Sequence, residues 1–182
     1  MIKIICISAL TTVLSIGITS VFAQEHEDLS SCKRGWGATE AGDHANAIKL
    51  FESCIKNGNL TTKSLARTYR NLGITHRRKG EPRKAIEFYN KAISLQPADP
   101  WDDYVDRGNA WSDLGEYANA FKDFDLAFKA KPNYNGAYYN RGIVFEKKNQ
   151  LEKAKADFIK AYEYGLRSEQ LYDRFVKYGL VK

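Results

Sequence analysis

The chain has little of what catalytic and metal-binding sites are usually built from. Its three histidines, His26, His44 (expected in a turn between helices) and His76, are scattered without the spacing that lets ligands converge, and a metal site needs three or four convergent donors. No phosphate-cradling glycine loop, no HExxH and no nucleophile elbow occurs. The cysteines show no CxxC spacing. Asp102, Asp103 and Asp106 could pair as carboxylates, but acids on a helix surface are usually a solvated face. These absences point away from an enzyme, and neither a cofactor nor a metal is expected. Only four prolines interrupt 182 residues. With abundant Ala, Leu, Lys and Glu, this favours helix over strand and predicts an all-α chain. Past residue 23 no apolar run is long enough to span a bilayer.

The one long apolar run is N-terminal. Lys3 precedes an uncharged stretch over 4–18, and Val21 and Ala23 occupy the two positions that a signal peptidase reads. This is the layout of a secretory signal peptide, so residues 1–23 are expected to be removed. The expected mature chain, 24–182, begins at Gln24. It would be periplasmic or secreted, not an integral membrane protein. Cys6 leaves with the signal. Cys32 and Cys54 remain, and an even pair in an oxidising compartment suggests a disulfide. The two stand about one helical turn from directly opposite, which leaves open whether they meet.

Laid over itself, the sequence shows a period near 35. Three copies of Ala-x-x-x-aromatic-x-x-Ala read Ala85, Tyr89, Ala92; Ala120, Phe124, Ala127; and Ala154, Phe158, Ala161. A weaker copy reads Ala47, Phe51, Cys54. Gly35, Gly73, Gly108 and Gly142 stand twelve residues before the first Ala of each copy. Gly42, Gly80, Gly115 and Asn149 stand five before it. Small residues belong where two antiparallel helices approach closely. The second Gly or Asn ends the first helix in a left-handed residue. Pro97 and Pro132 close the second and third units, because proline forces the residue before it out of helical geometry. A period of this length predicts a solenoid of helix pairs.

These residues resemble the tetratricopeptide repeat over about 28–166. The resemblance implies a right-handed helical solenoid with units at about 28–61, 66–99, 101–134 and 135–166. The first unit departs most: it has no closing proline, and its junction through Asn57 to Thr61 stretches the Ala47-to-Ala85 spacing to 38. Past the last unit, Ser168 can cap a helix over 168–179, with Leu171, Tyr172, Phe175 and Tyr178 on one face. Such an end helix covers the last repeat.

In this family the first helix of each unit lines a concave groove. The resemblance places Lys33 and Trp36 there, then Arg67, Arg70, Asn71, Ile74, Arg77 and Arg78. The third unit adds Asp102, Val105, Asp106, Asn109 and Asp113, and the fourth Tyr139, Asn140, Ile143 and Lys147. The family's clamp for a chaperone C-terminus needs Lys or Asn where this chain has Cys32, Trp36 and Asp106, so that clamp is absent. Residues 62–100 carry nine bases and three acids, and 101–140 carry four and seven. Two readings follow. Either arginines of the second unit pair across the junction with aspartates of the third, or the groove is bipolar and receives an extended protein or peptide partner. The alternatives are an electrostatic binder of an anionic glycan, lipid headgroup or nucleic acid through the basic second unit, or a self-assembling repeat protein. Export and the packing positions of the aromatics argue against nucleic acid.

Overall fold

The computed structural model describes residues 30–57, 59–95 and 100–180. Among the described residues there are nine helices and no strand. They are α1 (30–40), α2 (His44–Lys56), α3 (Thr62–Arg78), α4 (Pro82–Leu95), α5 (Trp101–Asp113), α6 (Tyr117–Ala130), α7 (Asn135–Lys147), α8 (Leu151–Glu163) and α9 (Glu169–Lys177). Each odd helix through α7 pairs with the helix after it, and the pairs stack into a right-handed solenoid. The expected signal segment, His26 and Pro97 lie outside the described residues.

The four expected glycines sit at the crossing of each pair. A methyl on Gly73 would lie 2.5 Å from the Tyr89 ring, and on Gly142 2.7 Å from the Phe158 ring. Gly35 faces Phe51 and Gly108 faces Phe124 in the same way. All four rings are completely buried, each contributing about 2–3 kcal/mol of apolar burial. They also reach the next unit. Tyr89 packs with Ala110, Phe124 with Ala137 and Val144, and Phe158 with Leu171 and Phe175. The aromatic residue is therefore both the core of its own pair and the glue to its successor.

The turns inside each pair follow one scheme. At the end of α3, Gly80 adopts φ +85°, while Glu81 N–H donates to His76 O at 2.8 Å. This is the 6→1 bond of a Schellman stop. Asn149 makes the same turn with φ 56°, and Gln150 N–H donates to Phe145 O at 2.8 Å. His76 is buried and stacked on Phe88, with ring centroids 5.1 Å apart. Its Nδ1 lies 2.7 Å from Glu81 Oε2. Lys79 and then His76 hold that carboxyl low, at about 2.

Two sequence expectations are corrected here. His44 is the first residue of α2 rather than part of the turn, because Asp43 takes the cap position and accepts from Asn46 N–H at 3.2 Å. In α9, Leu171 and Phe175 are buried but Tyr172 is 60% exposed. At 100° per residue Tyr172 falls outside the stripe through Leu171, Phe175 and Tyr178. Ser168 caps α9 as expected, accepting from Leu171 N–H at 3.3 Å.

Two glycine substitutions should separate close approach from mere flexibility. Gly73→Ala should destabilise by about 1–3 kcal/mol through overpacking against Tyr89. Gly37→Ala, with nothing within 4 Å of its added methyl, should stabilise α1 by about 0.5–1 kcal/mol. Urea unfolding of both variants reads the contrast, and equal effects would contradict the packing account.

Candidate binding groove

The first helices of successive units stand side by side, so residues one repeat apart face each other. Cys32 Sγ lies 3.4 Å from Thr68 Oγ1, and buried Thr39 Oγ1 lies 2.8 Å from Thr75 Oγ1. Arg78 donates back to Glu40 at 2.8 Å. Arg70 donates forward to Asp106 at 2.8 Å and to Asp102, with Asp103 at 3.6 Å. Arg77 donates to Asp113 at 2.7 Å. Lys147 then reaches Ser112 at 3.1 Å and Asp113 at 3.8 Å. Finally Glu146 accepts from Arg174 at 3.2 Å, from Lys177, and from Tyr178 Oη at 2.7 Å. A polar ladder therefore runs the length of the face.

The electrostatics follow from crowding. Three carboxylates converge on Arg70. Burial works to depress its pKa, but Asp106, Asp102 and Asp103 outweigh it and raise the value. Asp106 is nonetheless pushed above the usual carboxylate range, because its burial and the neighbouring Asp102 outweigh Arg70. Behind them the Tyr89 hydroxyl is buried with no hydrogen-bond partner among the described residues. Burial, and next the charge of Asp106, push this phenol well above its ordinary range.

The expected groove residues divide into two sets. Trp36, Arg67, Arg70 and Asn71 line one cleft of about 560 Å³ between α1 and α3, with Cys32, Lys33, Leu60, Ser64 and Thr68. The others are not gathered there. Arg77, Arg78 and Asp106 are engaged in the ladder. Ile74 packs against the Ala85 and Tyr89 cluster. Tyr139 and Ile143 pack against the Phe158 cluster, Tyr139 with its ring 5.8 Å from that of Phe158. Asn109 and Asn140 are half-buried on α5 and α7. Asp102, Asp113 and Lys147 are ladder residues, and Val105 is core.

Cys32 and Cys54 carry their Cα atoms 5.6 Å apart with the sulfurs at bonding distance, within the range a bridge requires. The offset read from the sequence does not keep them apart. Cys54 takes the place that Ala92, Ala127 and Ala161 hold in later units, and is equally buried.

One device escaped the sequence reading. Arg107 grips buried Asp123 with two bonds of 2.8 and 2.6 Å, and Arg141 grips buried Asp157 at 2.7 and 2.9 Å. Both pairs are 16 residues apart. The signal was present: an Asp follows sixteen residues after the Arg-Gly arginine in the third and fourth units. The first unit has Leu50 at that place, and Arg34 donates to Ser31 Oγ at 3.2 Å instead.

Residues 31–98 match a family profile described as tetratricopeptide repeat, and residues 136–164 match a second of the same description. The chain carries tetratricopeptide repeats. Among curated proteins, these repeats are similar to the Heat-shock protein cognate co-chaperone sgt12 of Aspergillus fumigatus. The likeness is 33% identity over 87 residues, 47% of this chain and 24% of that protein. The chain spans only about a sixth to a quarter of the length of the first curated relatives it matches. Among solved structures, MamA is similar with 25% identity and TM-score 0.63, covering 80% of this chain and 82% of that one. The first repeat domain of Spaghetti (RPAP3), solved bound to an HSP90 peptide, shares the fold. It has 24% identity and TM-score 0.57, covering 63% of this chain and 90% of that one.

The ladder makes a stability prediction. Arg70→Glu places a fourth acid among Asp102, Asp103 and Asp106 and should cost on the order of 3 kcal/mol, as for a buried pair deprived of one partner. Arg78→Glu breaks an exposed pair and should change stability by less than about 1 kcal/mol. Thermal unfolding of the two variants without any ligand checks the order.

Proposed function

We propose that this chain is an exported, non-enzymatic interaction scaffold that holds an extended segment of a partner protein in its concave groove. The observation that carries the reading is the cleft between α1 and α3. It combines an aromatic ring, an amide and cations on one open surface, whereas most of the groove's other charges are consumed by the ladder. Repeats of this fold supply binding surface: the first repeat domain of Spaghetti was solved bound to an HSP90 peptide, and sgt12 is a co-chaperone. The alternative, an electrostatic binder working through the basic second unit, loses support because Arg70, Arg77 and Arg78 are neutralised by acids of neighbouring units.

An array of random ten-residue peptides tests the scaffold reading. The full chain lacking residues 1–23 should retain a defined subset, and raised salt should weaken the binding by screening exposed charge. Retention of no peptide would sink the proposal.

Export is supported by the apolar run over 4–18, by Val21 and Ala23, and by the bridging geometry of Cys32 and Cys54. No helix among the described residues is long and apolar enough to cross a membrane. Protein isolated from its natural source should begin at Gln24 by intact mass. After denaturation without reductant it should show no reactive thiol, and closing this loop is worth on the order of 3 kcal/mol. A soluble chain retaining residues 1–23, or two reactive thiols, would contradict it.

A further inference from the structure

Lys33 and Arg67 differ from the charges around them. Arg70, Arg77, Arg78, Asp102, Asp106 and Asp113 all have partners across the unit junctions. Lys33 of α1 and Arg67 of α3 have none among the described residues. Both are exposed, and both line the same cleft. Two unneutralised cations on one concave surface repel each other and concentrate anions. Arginine's planar fork matches a carboxylate.

Apart from Arg70, which Asp102 and Asp106 already hold, the rest of the lining is not ionic. Trp36, 38% exposed, stands one helical turn beyond Lys33, and Arg78 sits 5.8 Å from its ring centroid. Leu60 faces the cleft from the connection between α2 and α3. That connection belongs to the stretched first unit, where the spacing from Ala47 to Ala85 is 38 against 35 for Ala85 to Ala120. This junction thus contributes an apolar side chain to the wall of the cleft.

We propose that this cleft is the anchor of the groove. It takes an acidic residue and an adjacent bulky apolar residue of an extended partner polypeptide. The carboxylate lies between Lys33 and Arg67, and the apolar side chain lies on Trp36 and Leu60. The proposal rests on the scaffold reading above and names its anchoring chemistry. It differs from a groove that reads charge through Arg70, Arg77, Arg78 and the aspartates of α5, because those charges already have partners. A polyanionic strand is the less suitable occupant. Among the described residues the cleft offers two free cations, and beyond them the face presents the carboxylates of Asp102, Asp106 and Asp113.

The test uses the full chain lacking residues 1–23 on the same random ten-residue array. Peptides retained by the unaltered protein should be enriched in Asp or Glu beside Leu, Phe, Tyr or Trp. The double variant Lys33→Glu/Arg67→Glu should lose about tenfold or more in affinity for them, as expected when charge-assisted bonds are removed. Its circular dichroism should be unchanged, since both side chains are exposed and unpaired. Lys129→Glu, an exposed charge reversal on α6, should leave binding as it was. Trp36→Ala should erase the apolar preference and keep the acidic one. If the double variant retains the same peptides equally well, the anchor is wrong and the scaffold reading stands. If the unaltered protein retains no peptide, both fall. Equal displacement of bound peptide by a ten-nucleotide single-stranded DNA would also overturn the anchor, in favour of a general anion site.

Discussion

The close approach of a glycine on one helix to an aromatic ring on the next governs this molecule. Gly73 and Tyr89 are representative: there is no room for even one methyl between them. Because the ring is forced flat against a bare backbone, the two axes of a pair cannot drift. The same ring then presents its other side to the following unit. One contact thereby sets both the geometry within a unit and the interface to its successor. Repetition of that contact makes a solenoid, in which each unit is stabilised mainly by its neighbours.

Apolar packing of this kind is poorly selective along the stacking direction, and the polar ladder supplies a register. Each rung joins equivalent or nearly equivalent positions of adjacent first helices, as in Thr39 with Thr75 and Arg70 with Asp106. A slip by one residue would break several rungs at once. A second set of pairs works inside the units, where Arg107 holds Asp123 and Arg141 holds Asp157. These bidentate pairs keep two nearly buried carboxylates from being left without a counter-charge. The alternation of charge along the chain is thus mostly internal structure.

The first unit obeys the scheme least and carries the most distinctive surface. It has no proline stop, and Cys54 replaces the second alanine. With Cys32 and Cys54 at bonding distance, a covalent link can do there what regular packing does elsewhere. From the longer junction, Leu60 lines the cleft of the groove. Regular units build the frame, and the irregular one differentiates it.

The helices, their order and their stops were legible in the amino-acid sequence. Those features depend on residues close in the chain and on a period that repeats: Gly and Ala at crossings, Gly or Asn at left-handed stops, and Ser168 at the last cap. The sequence also named Trp36, Arg67 and Asn71 as groove residues through a resemblance. It could not decide which arginines were free, since Arg67, Arg70, Arg77 and Arg78 look alike along one helix. Their separation into paired and unpaired depends on acids one repeat away and on the rotation of α3 against α5. Nor could it bring Cys32 to Cys54, because their meeting turns on the angle of one helix about its own axis. Only the tertiary structure fixes that angle, since it is the packing of neighbouring helices that selects it.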